Sequence, residues 1–270
     1  CILRLRTEVP EEGLGFVRAV RETIQLPADP PEVDLDWPTY SGKKRQLPWF
    51  LLSALLMAKN GVRICMQGTE GHTLGRLYSS EALKFLGVPE AGSMLEAAEQ
   101  IRASKFAYLP LKVIHPRLQE IIELKPIIGV SSPVNTFARM INPFSAPYEI
   151  HTVFHPNYRD VHRETANLLG QPHMAVFKGE GGELEIRPDA RTALTGLRHG
   201  EPADAKNFFI LHEGVIAMAD GELTETGYND LPDMPVLPSE GARAEVFQVG
   251  TDGWIGFTDH YWMSTLIPAS

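Results

Sequence analysis

The amino-acid sequence predicts an α/β protein built on a mostly parallel central sheet with flanking helices. Two observations carry this reading. Tyr148–Phe154 reads as a strand, His155-Pro156 opens a helix to about Leu169, and Met174–Phe177 is a strand again; strand, helix and strand over about 30 residues imply parallel pairing. The same alternation recurs upstream, with an apolar helix at 48–59 ahead of a strand at 62–66, and a helix at 94–104 ahead of a strand at 106–111.

The remaining elements follow in order. Pro10-Glu11-Glu12 starts a helix, with proline in the first turn and acids at the positive end of the helix dipole. Leu14, Val17, Val20 and Ile24 give it one apolar face as far as Thr23. A proline-rich connector at 26–31 leads to the alternating Glu32–Asp36, a strand or strand entry. The helix at 48–59 is almost wholly apolar, so it is expected to be buried on most sides, and Asn60-Gly61 closes it. Further helices are expected at 79–86, 116–123 and 133–140. In sheets of this kind ligands gather outside the carboxyl ends of the strands, which points to the loops after Asp36, Met66, Phe154 and Phe177. From Asp220 to Gly241 the chain is acidic and rich in turn residues, and the last thirty residues carry no legible motif.

Composition narrows the class. The 270 residues are 43% hydrophobic and 22% charged, ordinary for a soluble globular protein. Two cysteines, Cys1 and Cys65, exclude a disulfide framework and a cysteine-based metal site. The longest apolar runs, such as 47–57, fall short of the roughly 20 residues of a membrane span, and no signal peptide opens the chain. The expectation is a cytoplasmic protein with no membrane partner. Because Cys1 stands first and residues 2–6 read as the inside of a helix, an N-terminal piece is expected to be missing.

The formal charge of −9 argues against bulk attraction to nucleic acid, but the charge is uneven. Residues 1–37 hold 4 basic and 8 acidic side chains, residues 38–167 hold 15 and 10, and residues 168–270 hold 6 and 16. The middle is a basic island, which is either scattered solvated charge or a docking surface for an anion. Within it, Ser41-Gly42-Lys43-Lys44-Arg45 precedes a buried helix, and cations beside free backbone N–H groups suit phosphate. The alternative is a solvated loop. Gln67–His72 is either a simple βα turn or a second polar loop of the site. Lys178–Glu185 reads as a hairpin turn with solvated glutamates rather than as a Mg²⁺ loop. His151 and His155 lie about 13 Å apart on a strand, too far to share one metal ion.

Several of these pieces fall in a familiar order. Pro10-Glu11-Glu12, Gly61-Val62-Arg63 before Gln67-Gly68, Glu81–Val88, Asn135 to Asn142-Pro143-Phe144 and Lys178–Gly181 together resemble the anthranilate phosphoribosyltransferase-like family, over residues 2–185. That resemblance implies a small helical domain, here truncated, packed on a larger α/β domain, with the site between them and a homodimer as the assembly. The implied division is residues 1–30 as the remnant of the small domain, 31–206 as the α/β domain and 207–270 as an acidic region of unassigned role. The family's glycine-rich pyrophosphate loop is replaced here by Asp36 to Arg45, its polar helix start by Pro48–Leu51, its Lys-His-Gly-Asn by Met66–Thr69, and its paired metal carboxylates by Gly181–Glu185. The chain thus resembles a diverged "glycosyl transferase" branch with a degenerate phosphoribosyl pyrophosphate site.

The function implied is binding of nucleic acid or a phosphorylated small molecule through the old cleft, with no catalytic residue assigned. Ser41, Gly42, Lys43, Lys44, Arg45, Gly68, Thr69 and Arg76 would line it, and Arg159 and Arg163 would extend it. The alternative is a glycosyl or phosphoribosyl transferase with altered substrates. No cofactor or metal is expected, except Mg²⁺ if transfer is retained. A third possibility is a scaffold whose acidic C-terminal third contacts a partner.

Overall fold

A computed structural model describes residues 8–71, 73–186 and 192–203 in full, and the strands of 205–268 as backbone. The helices and strands over the first two thirds alternate as expected. Helix α1 (Pro10–Arg21) is followed by β1 (Leu35–Thr39), α2 (Phe50–Lys59), β2 (Ile64–Gly68), α3 (Ser79–Phe85), α4 (Met94–Ser104) and β3 (Phe106–Pro110). The short helices α5 (Leu111–Ile114), α6 (Pro116–Glu123), α7 (Lys125–Ile128) and α8 (Val134–Phe137) lead to β4 (Tyr148–Val153), α9 (Tyr158–Leu168) and β5 (His173–Lys178). Then come β6 (Thr192–Arg198), β7 (Glu201–Pro202), β8 (Ala205–Leu211), β9 (Gly214–Ala219) and β10 (Glu222–Glu225).

These strands form one sheet in the order β10-β9-β8-β6-β5-β4-β1-β2-β3, with β7 paired to β6. The half running β5-β4-β1-β2-β3 is parallel throughout, and from β6 onward the pairing turns antiparallel. The α/β class with flanking helices is therefore the observed one. A separate three-stranded antiparallel sheet holds β11 (Ala244–Gln248), β12 (Gly253–Thr258) and β13 (Thr265–Pro268).

Period-two alternation divides the parallel strands between two cores. Ile64, Met66, Phe106 and Tyr108 face α2 and α3, together with Trp37, Phe50, Leu51 and Met57. Cys65, Ala107 and Leu109 face the other way, against α4, α5, α6 and α8. Small residues on that second face, met by Ala97 and Ala98, let α4 approach closely. Serine caps this helix, Ser93 Oγ accepting from Glu96 N at 3.1 Å, and Lys105 ends it at φ 64°.

Strand β2 starts two residues later than the expected 62–66 and takes in Gln67 and Gly68, expected as loop, and two further elements differ more. Strand β1 runs three residues later than Glu32–Asp36 and includes Pro38, which reads in sequence as a strand breaker. The fold tolerates it because β1 pairs with β4 only through Leu35 and Asp36, so Pro38 lies past the point where its missing N–H is needed on that side. The helix expected over 133–140 is instead one α-turn, α8, followed by a 3₁₀ turn at Ala138–Met140.

Candidate functional site

Strand β1 leads toward β2 on one side and lies beside β4 on the other, so the sheet order reverses between β1 and β4. That is where an α/β sheet opens a crevice past its strand ends. A cleft of about 250 Å³ sits there, lined by Tyr40 and Ser41 after β1, Thr152–His155 at the end of β4, and Arg76, Lys125, Asn135, Arg139 and His162.

The floor of this cleft is closed by the chain's own carboxylates. Past β5 the backbone makes a tight turn at Glu180–Gly182 and bends again through Glu183 and Leu184, where Glu185 N donates to the Glu183 carbonyl at 2.8 Å. Leu184 and Ile186 join the core, while Glu183 and Glu185 reach the 41–50 segment. One oxygen of Glu183 accepts from Ser41 N at 2.5 Å and Gly42 N at 2.6 Å. Gly42 has φ +64°, the left-handed turn that points two successive N–H groups at one acceptor. Glu185 reaches Lys43 Nζ at 2.5 Å and accepts from Phe50 N, at the start of α2, at 3.3 Å. Since α2 has no acid in its first turn, Glu185 supplies the anion its N-terminus favours.

Arginines finish the closure. Arg76 Nη1 donates to the carbonyls of Ser41, Gly42 and Gly181 at 2.9–3.1 Å, tying both loops together. Buried Arg139 donates to Ser41 Oγ at 2.7 Å and lies 5.5 Å over the Tyr40 ring. Burial pushes the Glu183 carboxyl up, against the pull of Arg139 and of the Ser41 and Gly42 amides, and burial lowers Arg139. Gly182 is required by this packing: its φ is +88°, and a Cβ there would lie 2.6 Å from Ser41 Oγ.

The structure places the sequence-derived residues in three groups. Ser41, Gly42, Lys43 and Arg76 meet at the cleft floor, where each is bonded within the protein. Lys44 and Arg45 stand exposed on the rim. Gly68 packs against the Thr39 carbonyl, Thr69 Oγ1 donates to Gln119 at 2.6 Å, Arg159 donates to the Ala193 carbonyl at 2.9 Å, and Arg163 pairs with Glu164 at 2.9 Å. Those four do not line the cleft. The solvated hairpin glutamates expected at 183 and 185 are a correction: both are buried, Glu183 completely. Sequence reasoning missed Arg139 altogether. Its signal was a lone cation inside the otherwise uncharged run 126–148.

At the cleft wall, His162 on α9 and His151 on β4 are buried with their Nδ1 atoms 3.2 Å apart, so one ring donates and the other accepts. His151 Nε2 lies 3.2 Å from Glu149, and burial followed by the neighbouring His151 holds His162 well below its ordinary value. Asp36 is also buried, and burial, reinforced by Glu149, pushes its carboxyl well up, while Gln67 bridges it to the Tyr40 hydroxyl. Among the described residues no group of three or more His, Cys, Asp or Glu is arranged to hold a metal ion.

Comparison with known proteins separates fold from relationship. Anthranilate phosphoribosyltransferase of Thermus thermophilus superposes with a TM-score of 0.60 and 25% identity, covering 76% of this chain and 61% of that one. The Saccharomyces cerevisiae enzyme gives 0.57 at 19% identity, over 69% of this chain and 52% of its own. These show a shared fold. The sequence model of the YidC periplasmic domain matches residues 182–270. The curated relatives are membrane protein insertases YidC: that of Jannaschia sp. is 57% identical over 101 residues, 37% of this chain and 16% of its own. That of Roseobacter denitrificans is 68% identical over 71 residues, 26% and 12% of the two chains. This chain spans about a sixth or less of the length of these relatives.

These matches correct the reading drawn from the resemblance. The insertase relatives, at more than twice the identity of the solved phosphoribosyltransferases, overturn the assignment to the anthranilate phosphoribosyltransferase-like family. With it fall the glycosyltransferase activity, the nucleic-acid or phosphorylated-ligand role, the absence of a membrane partner and the cytoplasmic location. The physical counterpart is at the cleft floor, where the amides that would cradle a phosphate already hold Glu183.

Proposed function

We propose that this chain takes part in the insertion of membrane proteins, with residues 182–270 serving as a periplasmic module of the YidC type. The observation that carries this is the match of the YidC periplasmic domain to residues 182–270, supported by relatives 57–68% identical over 71–101 residues. The structure supports a supporting rather than catalytic part for the α/β body. Its cleft floor is filled by Glu183 and Glu185, the first charged residues of the matched segment, so that segment is fastened to the body it follows. The division into 1–30, 31–206 and 207–270 is kept as a proposal for the body, with the insertase-like segment beginning inside the second part.

The test is location and contact. Expressed in a Gram-negative host, the full chain is expected in the membrane-associated fraction, with residues 207–270 cut by protease added to spheroplasts. Site-specific cross-linkers in that segment should capture nascent membrane proteins. Recovery in the cytosol, protected from the added protease, would overturn the proposal.

A further inference from the structure

The rim above the closed floor carries charge and apolar surface that the floor does not use. Three segments meet there. Lys43 and Leu77 exchange backbone hydrogen bonds at 2.8 Å, joining the 43–47 loop to the 74–77 loop. Lys125 Nζ donates to Thr73 Oγ1 at 2.8 Å, joining the start of α7 to the same loop. A shallow groove runs between the first two segments, and Glu81 is its sole carboxylate lining residue among those described.

Large side chains project from this rim with little to pack on. Leu74 is 96% exposed, Ile127 80% and Leu47 54%, and Phe85, one turn after Glu81 on α3, is 89% exposed. Single exposed leucines need no explanation, but a cluster on adjoining loop tips does. Among the polar residues lining the groove, Lys44 and Arg45 are exposed and make no ion pair among the described residues, Gln46 is neutral, Glu81 is the one carboxylate, and Arg76 spends its bonds on carbonyls.

We propose that this rim, centred on Lys44, Arg45, Leu74 and Ile127, docks on an anionic lipid bilayer. Cations around protruding aliphatic tips match a surface of phosphate headgroups over hydrocarbon. A second copy of the chain fits less well, because face-to-face pairing would set this cationic rim against itself. Phosphate at this loop is thus a headgroup met from outside by Lys44 and Arg45, while Lys43 stays sealed beneath. The inference uses none of residues 182–270, so it stands or falls apart from the insertion role.

Flotation of the full chain with phosphatidylcholine vesicles, with and without phosphatidylglycerol, tests it. Binding is expected only with phosphatidylglycerol, weakening as salt rises. Each rim cation lost is expected to cost about fivefold in affinity, so the double variant K44A/R45A should bind roughly 25-fold more weakly. The double variant L74D/I127D should abolish flotation while leaving the thermal midpoint unchanged, since both side chains are exposed. The proposal is overturned if the native chain does not float with phosphatidylglycerol vesicles, if either double variant floats undiminished, or if sedimentation without lipid shows a dimer that L74D/I127D dissolves.

Discussion

Lys43 is sealed in the cleft floor against Glu185, while Lys44 and Arg45, one and two residues on, stand on the rim in solvent. In sequence the three are one run of cations. In the fold, the floor consumes its charges internally: Glu183 on two amides, Glu185 on Lys43, Arg76 on three carbonyls. The rim leaves its charges outward. A run of like charge therefore does not define a site; the direction of each side chain and the carboxylates that reach it do.

The contrast can be broken from either side. The largest effect is expected at the floor. Lys43→Met strands Glu185 as a buried, unpaired carboxylate and should cost about 3–5 kcal/mol in denaturant unfolding. The double variant K43M/E185L should recover most of that loss, because an apolar pair of similar volume suits the adjoining core. If the single variant unfolds at the native midpoint, the pair is not the closure described.

Next is Gly182→Ala, expected to destabilise by about 1–3 kcal/mol, since alanine must hold a left-handed φ and press on Ser41 Oγ. Equal stability of variant and native chain would mean that the turn can relax.

The titration of two buried groups sharpens the comparison. Burial holds Glu183 above the usual carboxylate range, so the folded chain takes up this proton more readily than the unfolded one. Stability from that group is complete below the unfolded carboxyl value, about pH 4.3, and is lost as pH rises through the folded value. His162 runs the other way. Its folded value is depressed, so its contribution is present above about pH 6.5 and is lost as pH falls through the folded value. Stability–pH curves of E183Q and H162Q should each lose the corresponding slope; a curve parallel to the native one would discount that group.

The smallest effect belongs to the rim. Lys44→Ala and Arg45→Ala should each shift stability by no more than about 0.5 kcal/mol. A larger loss would show that these side chains are held by the fold.

What was legible in the sequence was what depends on near neighbours. Helix α4, the α6 start at Pro116 and the unit β4-α9-β5 follow from local patterns, and they stand within about three residues of where they are expected. The displaced β1 was not legible, because whether Pro38 is tolerated depends on where a strand over a hundred residues later stops pairing. The closure of the cleft was hidden for the same reason, its partners lying 141–142 residues apart. A signal existed in the run Glu183-Leu184-Glu185-Ile186, where two acids alternate with two apolar residues. The resemblance of motifs traced the fold correctly and the relationship wrongly. Shared order of helices and strands reports packing, whereas relationship rests on identities, and the high identities found, over 71–101 residues, are with the insertases.

Glu183 bridges a wide separation in the body: it must find Ser41 and Gly42 across 142 and 141 residues of chain. Loop-closure entropy makes such a contact late, after the strands between have assembled. The Gly42–Glu183 latch is therefore expected to form late in folding, and its opening need not disturb the strands beneath. Amide hydrogen exchange at Ser41 and Gly42 should accordingly proceed by a local opening, faster than at Met66 or Leu109 in the sheet.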